Sequence, residues 1–254
     1  MNQIICAFAL FYLHMSVSNA LNCSAPFKDI LGVCLHFPTT SYTWCGAQSY
    51  CSSVEGELVR GASYLPLNNK IFPGMPTHYW IGLTDFLHER KRNRAGWRWT
   101  DGAVLPASSE LVWDGSEPGQ FVFGKQDCVF QCYGRGTLCD LNCKPDLSGW
   151  KTKPMCQPRA PISDTKHFEI TDIPTGLRET EFDYAESNGC GERLTGIASK
   201  LVCAIRCNNK AIDWCVAFYY NKTTKECILV LYTDATINVG SSAAWQKFVI
   251  KKAV

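Results

Sequence analysis

Trp80-Ile81-Gly82-Leu83 is followed, after an interval, by Gly96-Trp97-Arg98-Trp99-Thr100-Asp101-Gly102. Both stretches are short, rich in aromatic and aliphatic residues, and bounded by Gly or Asp, so each reads as a strand that ends in a turn. Working outward, runs of the same kind occupy residues 79–83, 96–100, 111–113, 128–133 and 137–140, separated by Gly, Pro and Asp turns. Upstream the period changes. Residues 41–53 place Trp44, Ala47 and Cys51 at i, i+3 and i+7, the spacing of one helix face, and residues 64–72 predict a second helix stopped by Pro73-Gly74. Two helices followed by many short strands predict an α+β domain with long surface loops.

The compartment follows from the cysteines. The apolar stretch of residues 4–13 runs into Ser18-Asn19-Ala20, so residues 1–20 predict a cleaved signal peptide; a membrane anchor is the alternative, but the run is short for a bilayer. Cys6 leaves with the signal, and the remaining cysteines are even in number, as expected of disulfides formed in an oxidising pathway. Zinc is the competing reading of Cys203-x3-Cys207 and Cys139-x3-Cys143, yet no His stands in a ligand-like spacing with them. Sequons at Asn22 and Asn221 agree with a secreted, extracellular glycoprotein. With 25 Lys and Arg against 23 Asp and Glu, the formal charge of +2 exerts no overall pull toward nucleic acid or an anionic membrane, so neither is an expected partner.

Nine cysteines lie between Cys23 and Cys156 and five between Cys190 and Cys227. Between the clusters, Pro158, Pro161 and Pro174 stand among mostly polar neighbours without a sustained helical or strand period. The predicted organisation is a first domain over residues 23–157, a linker over 158–181 and a second domain over 182–254. The clusters differ in spacing, so they are different modules rather than a repeat.

The first module resembles the C-type lectin domain in its long form. The resemblance rests on ordered landmarks: Trp80-Ile81-Gly82-Leu83, residues 96–102, Trp113-x3-Glu117-Pro118, Asp127-Cys128-Val129, Asp140-x2-Cys143 and Met155-Cys156-Gln157. It implies bridges from Cys23 to Cys34, Cys51 to Cys156 and Cys128 to Cys143, and a cis Glu117-Pro118 peptide. It also implies a ligand loop drawn from Trp113, Glu117, Pro118, Gly119, Asp127 and Asp140. Sugar-binding members hold calcium there with oxygen donors, as a hard cation requires. In this chain Glu117 and Asp140 retain that chemistry, whereas Gly119, Gln126 and Cys139 stand where the pattern has other donors. The resemblance therefore implies a degraded calcium site, weak or absent, with no cofactor required.

The second module resembles the PAN/apple domain, a small helix-on-sheet unit stapled by disulfides. Cys203 and Cys207, four apart in residues 201–207, fall on one side of a helix. Residues 214–220 and 227–230 read as two strands around a turn. The resemblance implies Cys203 to Cys227 and Cys207 to Cys215, and an interaction module.

Cys45, Cys132, Cys139 and Cys190 remain. Cys132 and Cys139 flank a tight predicted hairpin whose geometry brings them into bridging range. Cys45 lies about 100° around its helix from Trp44, away from the face carrying Ala47 and Cys51, and is available to Cys190; a bridge between two chains is the alternative.

Enzyme chemistry finds no anchor: the sequence has no HExxH, no G-x-S-x-G and no phosphate-binding Gly loop. Asp114, Glu117 and Asp127 could pose as acid and base, but they fall in the ligand loop. In His88-Glu89-Arg90-Lys91-Arg92-Asn93-Arg94, four cations within five residues must lie in water. The segment reads as a solvated loop, or, through Arg90, Lys91, Arg92 and Arg94, as a contact for anionic glycans. The expected function is carbohydrate recognition by a secreted lectin-like protein without the usual calcium geometry; the alternative is a structural or protein-binding extracellular component that reads no sugar.

Overall fold

The computed structural model describes residues 21–64, 77–85, 96–106, 111–118, 126–132, 136–143, 151–159, 166–171, 190–210, 215–232 and 244–252. The expected signal peptide, most of the second helix, the basic segment 88–94 and Gly119 lie outside the described residues.

The first unit begins with a hairpin, β1 (Lys28–Ile30) and β2 (Val33–Leu35), turned at Leu31 and Gly32 with positive φ of 54° and 81°. Next comes α1 (Trp44–Ser53), which starts three residues later than its periodicity suggested. Thr43 is the reason: its hydroxyl accepts the Gly46 N–H at 3.0 Å and caps the helix, leaving 41–43 as an extended lead-in. Then follow β3 (Gly56–Leu58), the single turn α2 (Gly61–Tyr64), β4 (His78–Thr84), β5 (Arg98–Trp99), β6 (Cys128–Gln131), β7 (Leu138–Leu141), β8 (Thr152–Pro154) and β9 (Cys156–Pro158). The main sheet runs β5-β4-β6-β7 with β8 parallel beside β4, and β9 returns to pair β3. His36 also bridges Cys156, so the start and the end of the unit are tied together.

Two of the large aromatics buried in this unit have their polar tips partnered. Trp44 donates its indole N–H to the Ile81 carbonyl and Trp80 to the Tyr42 carbonyl, both at 2.8 Å. The Gly82 of the opening landmark is needed for close approach: a Cβ there would meet Thr100 Oγ1 at 3.0 Å and the Leu58 carbonyl at 3.1 Å.

The second unit contains β10 (Lys166–Thr171), β11 (Gly191–Leu194), α3 (Lys200–Asn209), β12 (Cys215–Asn221), β13 (Glu226–Leu231) and β14 (Trp245–Lys252). They form one antiparallel sheet, β10-β14-β12-β13-β11. This corrects the expected linker of residues 158–181. Pro158 ends β9 of the first unit, and residues 166–171 pair with β14 in register from Lys166↔Lys252 to Thr171↔Lys247. The run stands alone among mostly polar, Pro-bearing neighbours, and its partner lies at the far end of the chain. Strands β12 and β13 are buried almost continuously, the pattern of a sheet covered on both faces.

Asn221 also departs from expectation. It is 3% exposed, and its Oδ1 accepts the N–H groups of Thr223 and Thr224 at 2.8 and 3.1 Å, forming the turn into β13. A glycan on that amide is incompatible with this packing, whereas Asn22 is exposed.

Seven disulfides join Cys23–Cys34, Cys45–Cys190, Cys51–Cys156, Cys128–Cys143, Cys132–Cys139, Cys203–Cys227 and Cys207–Cys215. The last two staple α3 to β13 and β12. Cys45–Cys190 joins the units, and the Leu231 N–H donates to the Cys190 carbonyl at 2.9 Å. Trp44, Cys45, Cys190 and Phe218 belong to one apolar cluster, so the core continues from one unit into the other. Among the described residues no helix is long and apolar enough to cross a membrane.

Candidate functional site

The expected ligand loop is mounted on the β6–β7 hairpin. Its register runs Cys128↔Leu141, Val129↔Asp140, Phe130↔Cys139 and Gln131↔Leu138. Beyond it the Cys132 N–H meets the Thr137 carbonyl at 2.9 Å, and the Cys132–Cys139 bridge closes the open end.

Residues 111–118 lie along the outer side of β7. The Leu138 N–H donates to the Val112 carbonyl at 2.8 Å, and the Asp114 N–H donates to the Leu138 carbonyl at 2.9 Å. The Thr137 hydroxyl adds a bond to Asp114 Oδ1 at 3.3 Å. Only Trp113↔Leu138 registers as a ladder pair, so the expected strand over 111–113 is a single bridge. The turn at Asp114-Gly115, where Gly115 has φ 45°, stops the ladder immediately. That turn is closed by the Glu117 N–H on the Asp114 carbonyl at 2.7 Å and leads into a cis Glu117–Pro118 peptide.

The expected site residues separate into surface and interior. Glu117 and Pro118 are half-buried at the rim. Trp113 is 3% exposed and packs against Trp97, ring centroids 5.2 Å apart, so it underlies the loop rather than facing a ligand. Its indole N–H has no hydrogen-bond partner among the described residues. Asp127 and Asp140 are buried at 5% and 2% exposure. The Asp127 carbonyl accepts the Asp85 N–H at 2.9 Å, and the Asp140 carbonyl accepts the Gln126 amide at 3.4 Å. Among the described residues the one cluster of three His, Cys, Asp or Glu with ligand atoms close enough for a metal is Asp114, Cys132 and Cys139. Neither Glu117 nor Asp140, the expected calcium ligands, belongs to it.

Sequence reasoning missed two arrangements. Arg60 binds Glu57 at 2.9 Å and also pairs with Asp101, while Gln157 reaches Glu57 at 3.0 Å and accepts the Arg60 N–H at 3.0 Å. This network ties the turn after Trp99 to β3 and β9; a lone Arg in the sequence carries no sign of it. The second is a recess of about 560 Å³ at the N-terminal hairpin, lined by Pro26, Phe27, Lys28, Leu35, His36 and Phe37 among others. There His36 Nε2 lies 2.9 Å from the Tyr50 hydroxyl, and burial, then the Lys28 charge, lowers the His36 pKa below its ordinary value.

Residues 40–148 match the family model described as the lectin C-type domain. C-type lectin domain family 4 member G of Mus musculus is 32% identical over 148 residues, 56% of this chain and 45% of that protein. Hepatic lectin of Gallus gallus is 32% identical over 113 residues, 44% of this chain and 50% of that protein. The chain thus spans about half the length of these curated relatives. Among solved structures, the cow C-type carbohydrate-recognition domain of CD23, determined in the presence of GlcNAc2Man3 oligosaccharide, aligns with a TM-score of 0.42 at 21% identity, covering 55% of this chain and 97% of that one.

Proposed function

We propose that the C-type lectin domain carried by residues 40–148 makes this chain a secreted, non-enzymatic carbohydrate-recognition protein that reads its ligand without calcium. One observation carries the calcium-independent part. The loop of residues 114–118 is held by β7 through main-chain hydrogen bonds and by the Cys132–Cys139 staple, so its form rests on protein groups. The donor chemistry agrees: calcium takes six to eight oxygens, and Cys139 offers a sulfur already committed to a bridge. Glu117 and Pro118 form the contact surface, Trp113 supports it from beneath, and Gly119, Asp127 and Asp140 complete the expected site. Arg90, Lys91, Arg92 and Arg94 are a proposed extension toward anionic glycans.

The two-unit reading is supported by separate sheets, with the boundary moved to between residues 159 and 166. A helix stapled to a sheet by Cys203–Cys227 and Cys207–Cys215 supports an apple-like second unit that adds protein contacts. The same unit favours the second reading, a protein-binding component.

A glycan array probed with the full chain, first with calcium and then with a chelator, tests the proposal. The expected result is a shared set of bound glycans under both conditions, weakened in Glu117→Ala. Binding abolished by the chelator overturns calcium independence, and the absence of any glycan signal overturns the sugar reading in favour of the protein-binding one. Recovery of chain lacking residues 1–20 from the culture medium checks secretion; retention in the cell refutes it.

A further inference from the structure

Asp114, Cys132 and Cys139 offer one carboxylate oxygen and two sulfurs, all within 4.8 Å of one another, at the edge of the β6–β7 hairpin. While the sulfurs are joined, they staple the hairpin. We propose that this cluster is also a latent site for a borderline-soft divalent cation of the zinc class, opened when a dithiol reduces the Cys132–Cys139 bridge.

The hairpin is suited to opening without collapse. The bridge spans only seven residues, the shortest of the seven, so it restrains the least chain. The Cys132 N–H to Thr137 bond and the ladder from Cys128 to Gln131 hold the same two strands without it. The chemistry balances. The attacking dithiol donates two electrons and two protons, the S–S bond breaks into two thiols, and the reductant closes into its own cyclic disulfide. The cation then displaces the two thiol protons and forms two metal–sulfur bonds, releasing those protons to solvent.

Geometry and donor type select the cation. Sulfurs on a tetrahedral zinc stand about 3.7 Å apart, a separation within reach of cysteines whose Cα atoms are 5.7 Å apart. Two thiolates and one carboxylate make a three-ligand set with a fourth position left for water, and thiolate sulfur discriminates against calcium. Asp114 links the site to its surroundings: its Oδ1 holds the Thr137 hydroxyl, and its carbonyl holds the Glu117 N–H. Coordination of Asp114 therefore pulls on the loop that carries Glu117.

The test uses the full chain, treated with limiting dithiol without denaturant, freed of reductant under anaerobic conditions and titrated with Co²⁺ as a spectroscopic stand-in for Zn²⁺. Alkylation and peptide mapping identify which cysteines have opened. The expected result is alkylation at Cys132 and Cys139 with thiolate-to-cobalt absorption that zinc displaces and calcium does not. Asp114→Asn should weaken binding about tenfold or more with both cysteines still present, and Cys132→Ser/Cys139→Ser should abolish the absorption. Cys132 and Cys139 still joined after other bridges have opened would overturn the proposal. So would cobalt absorption that survives in the double variant, or an Asp114→Asn chain that binds as the parent does. Circular dichroism of each variant separates loss of the site from loss of the fold.

Discussion

Replacing Cys45 and Cys190 together by Ala removes the covalent link between the two units. The segment between them counts 145 residues, a closure for which the chain-entropy relation gives about 5 kcal/mol. That figure overstates the effect. Cys51–Cys156 already joins α1 to β9, so the loop that Cys45–Cys190 adds runs through that bridge and contains about 40 residues, for which the same relation gives about 4 kcal/mol. Ala suits both positions, 3% and 2% exposed, because it introduces no polar atom into the core. Guanidinium unfolding under non-reducing conditions, followed by fluorescence and by far-ultraviolet circular dichroism, should show about 4 kcal/mol of lost stability. The parent should run as a monomer on a non-reducing gel, with a Cys45 peptide linked to Cys190. A loss below about 1 kcal/mol, far short of the entropy relation, would refute the reasoning that the bridge stabilises the fold by closing that loop. A parent dimer that collapses to monomer on reduction would show that the bridge joins two chains instead.

Glycopeptide mapping should find sugar at Asn22 and none at Asn221, and Asn221→Ala should cost about 1–3 kcal/mol by leaving two turn N–H groups without their acceptor; an occupied Asn221 would contradict its buried turn role. Trp113→Ala should cost about 3–5 kcal/mol in chemical denaturation and weaken glycan binding, whereas Glu117→Gln at the rim should change stability by less than about 0.5 kcal/mol while weakening binding; equal stability losses would place Glu117 in the core instead. Burial lowers the pKa of both His36 and His78 from an ordinary value of 6.5. The unfolded chain therefore takes up their protons first, so stability is full above about pH 6.5 and falls as pH drops from 6.5 toward the lowered folded values. Thermal midpoints measured across that window should slope less in His36→Gln/His78→Gln than in the parent, and an unchanged slope would assign the titration elsewhere.

Residues whose role is local were readable in advance. The helix around Trp44 and Cys51 and the α3 face carrying Cys203 and Cys207 follow from side-chain period, because a helix projects that period onto one face. The strands around Trp80 and Val129, buried on both faces, follow from their apolar composition and the turn residues that bound them. The orientation of Cys45, off the face of Trp44 and Ala47, follows from the same geometry and leaves it available to Cys190. The order of the landmarks carried the resemblance of the first unit to the C-type lectin domain, since each landmark is a short segment with its own turn or packing requirement, as the close approach at Gly82 illustrates.

What the chain leaves to tertiary structure is whatever depends on partners distant in sequence. Residues 166–171 become a sheet strand because β14 lies beside them, and nothing within six residues announces a partner some eighty positions away. Asn221 reads as a sequon until the packing of β12 between β13 and β14 buries it. Trp113 reads as a ligand contact until Trp97 is found against its ring, and Asp114 becomes a neighbour of the Cys132–Cys139 bridge only through its bonds to β7. The sequence by itself thus determined α1, α3, the strands around Trp80 and Val129, the landmarks that carry the resemblance to the C-type lectin domain and the stock of cysteines, because period, turn chemistry and composition are local properties. Tertiary structure alone decided burial, sheet membership and the gathering of Asp114 with two sulfurs, because each depends on long-range packing that chain proximity does not encode.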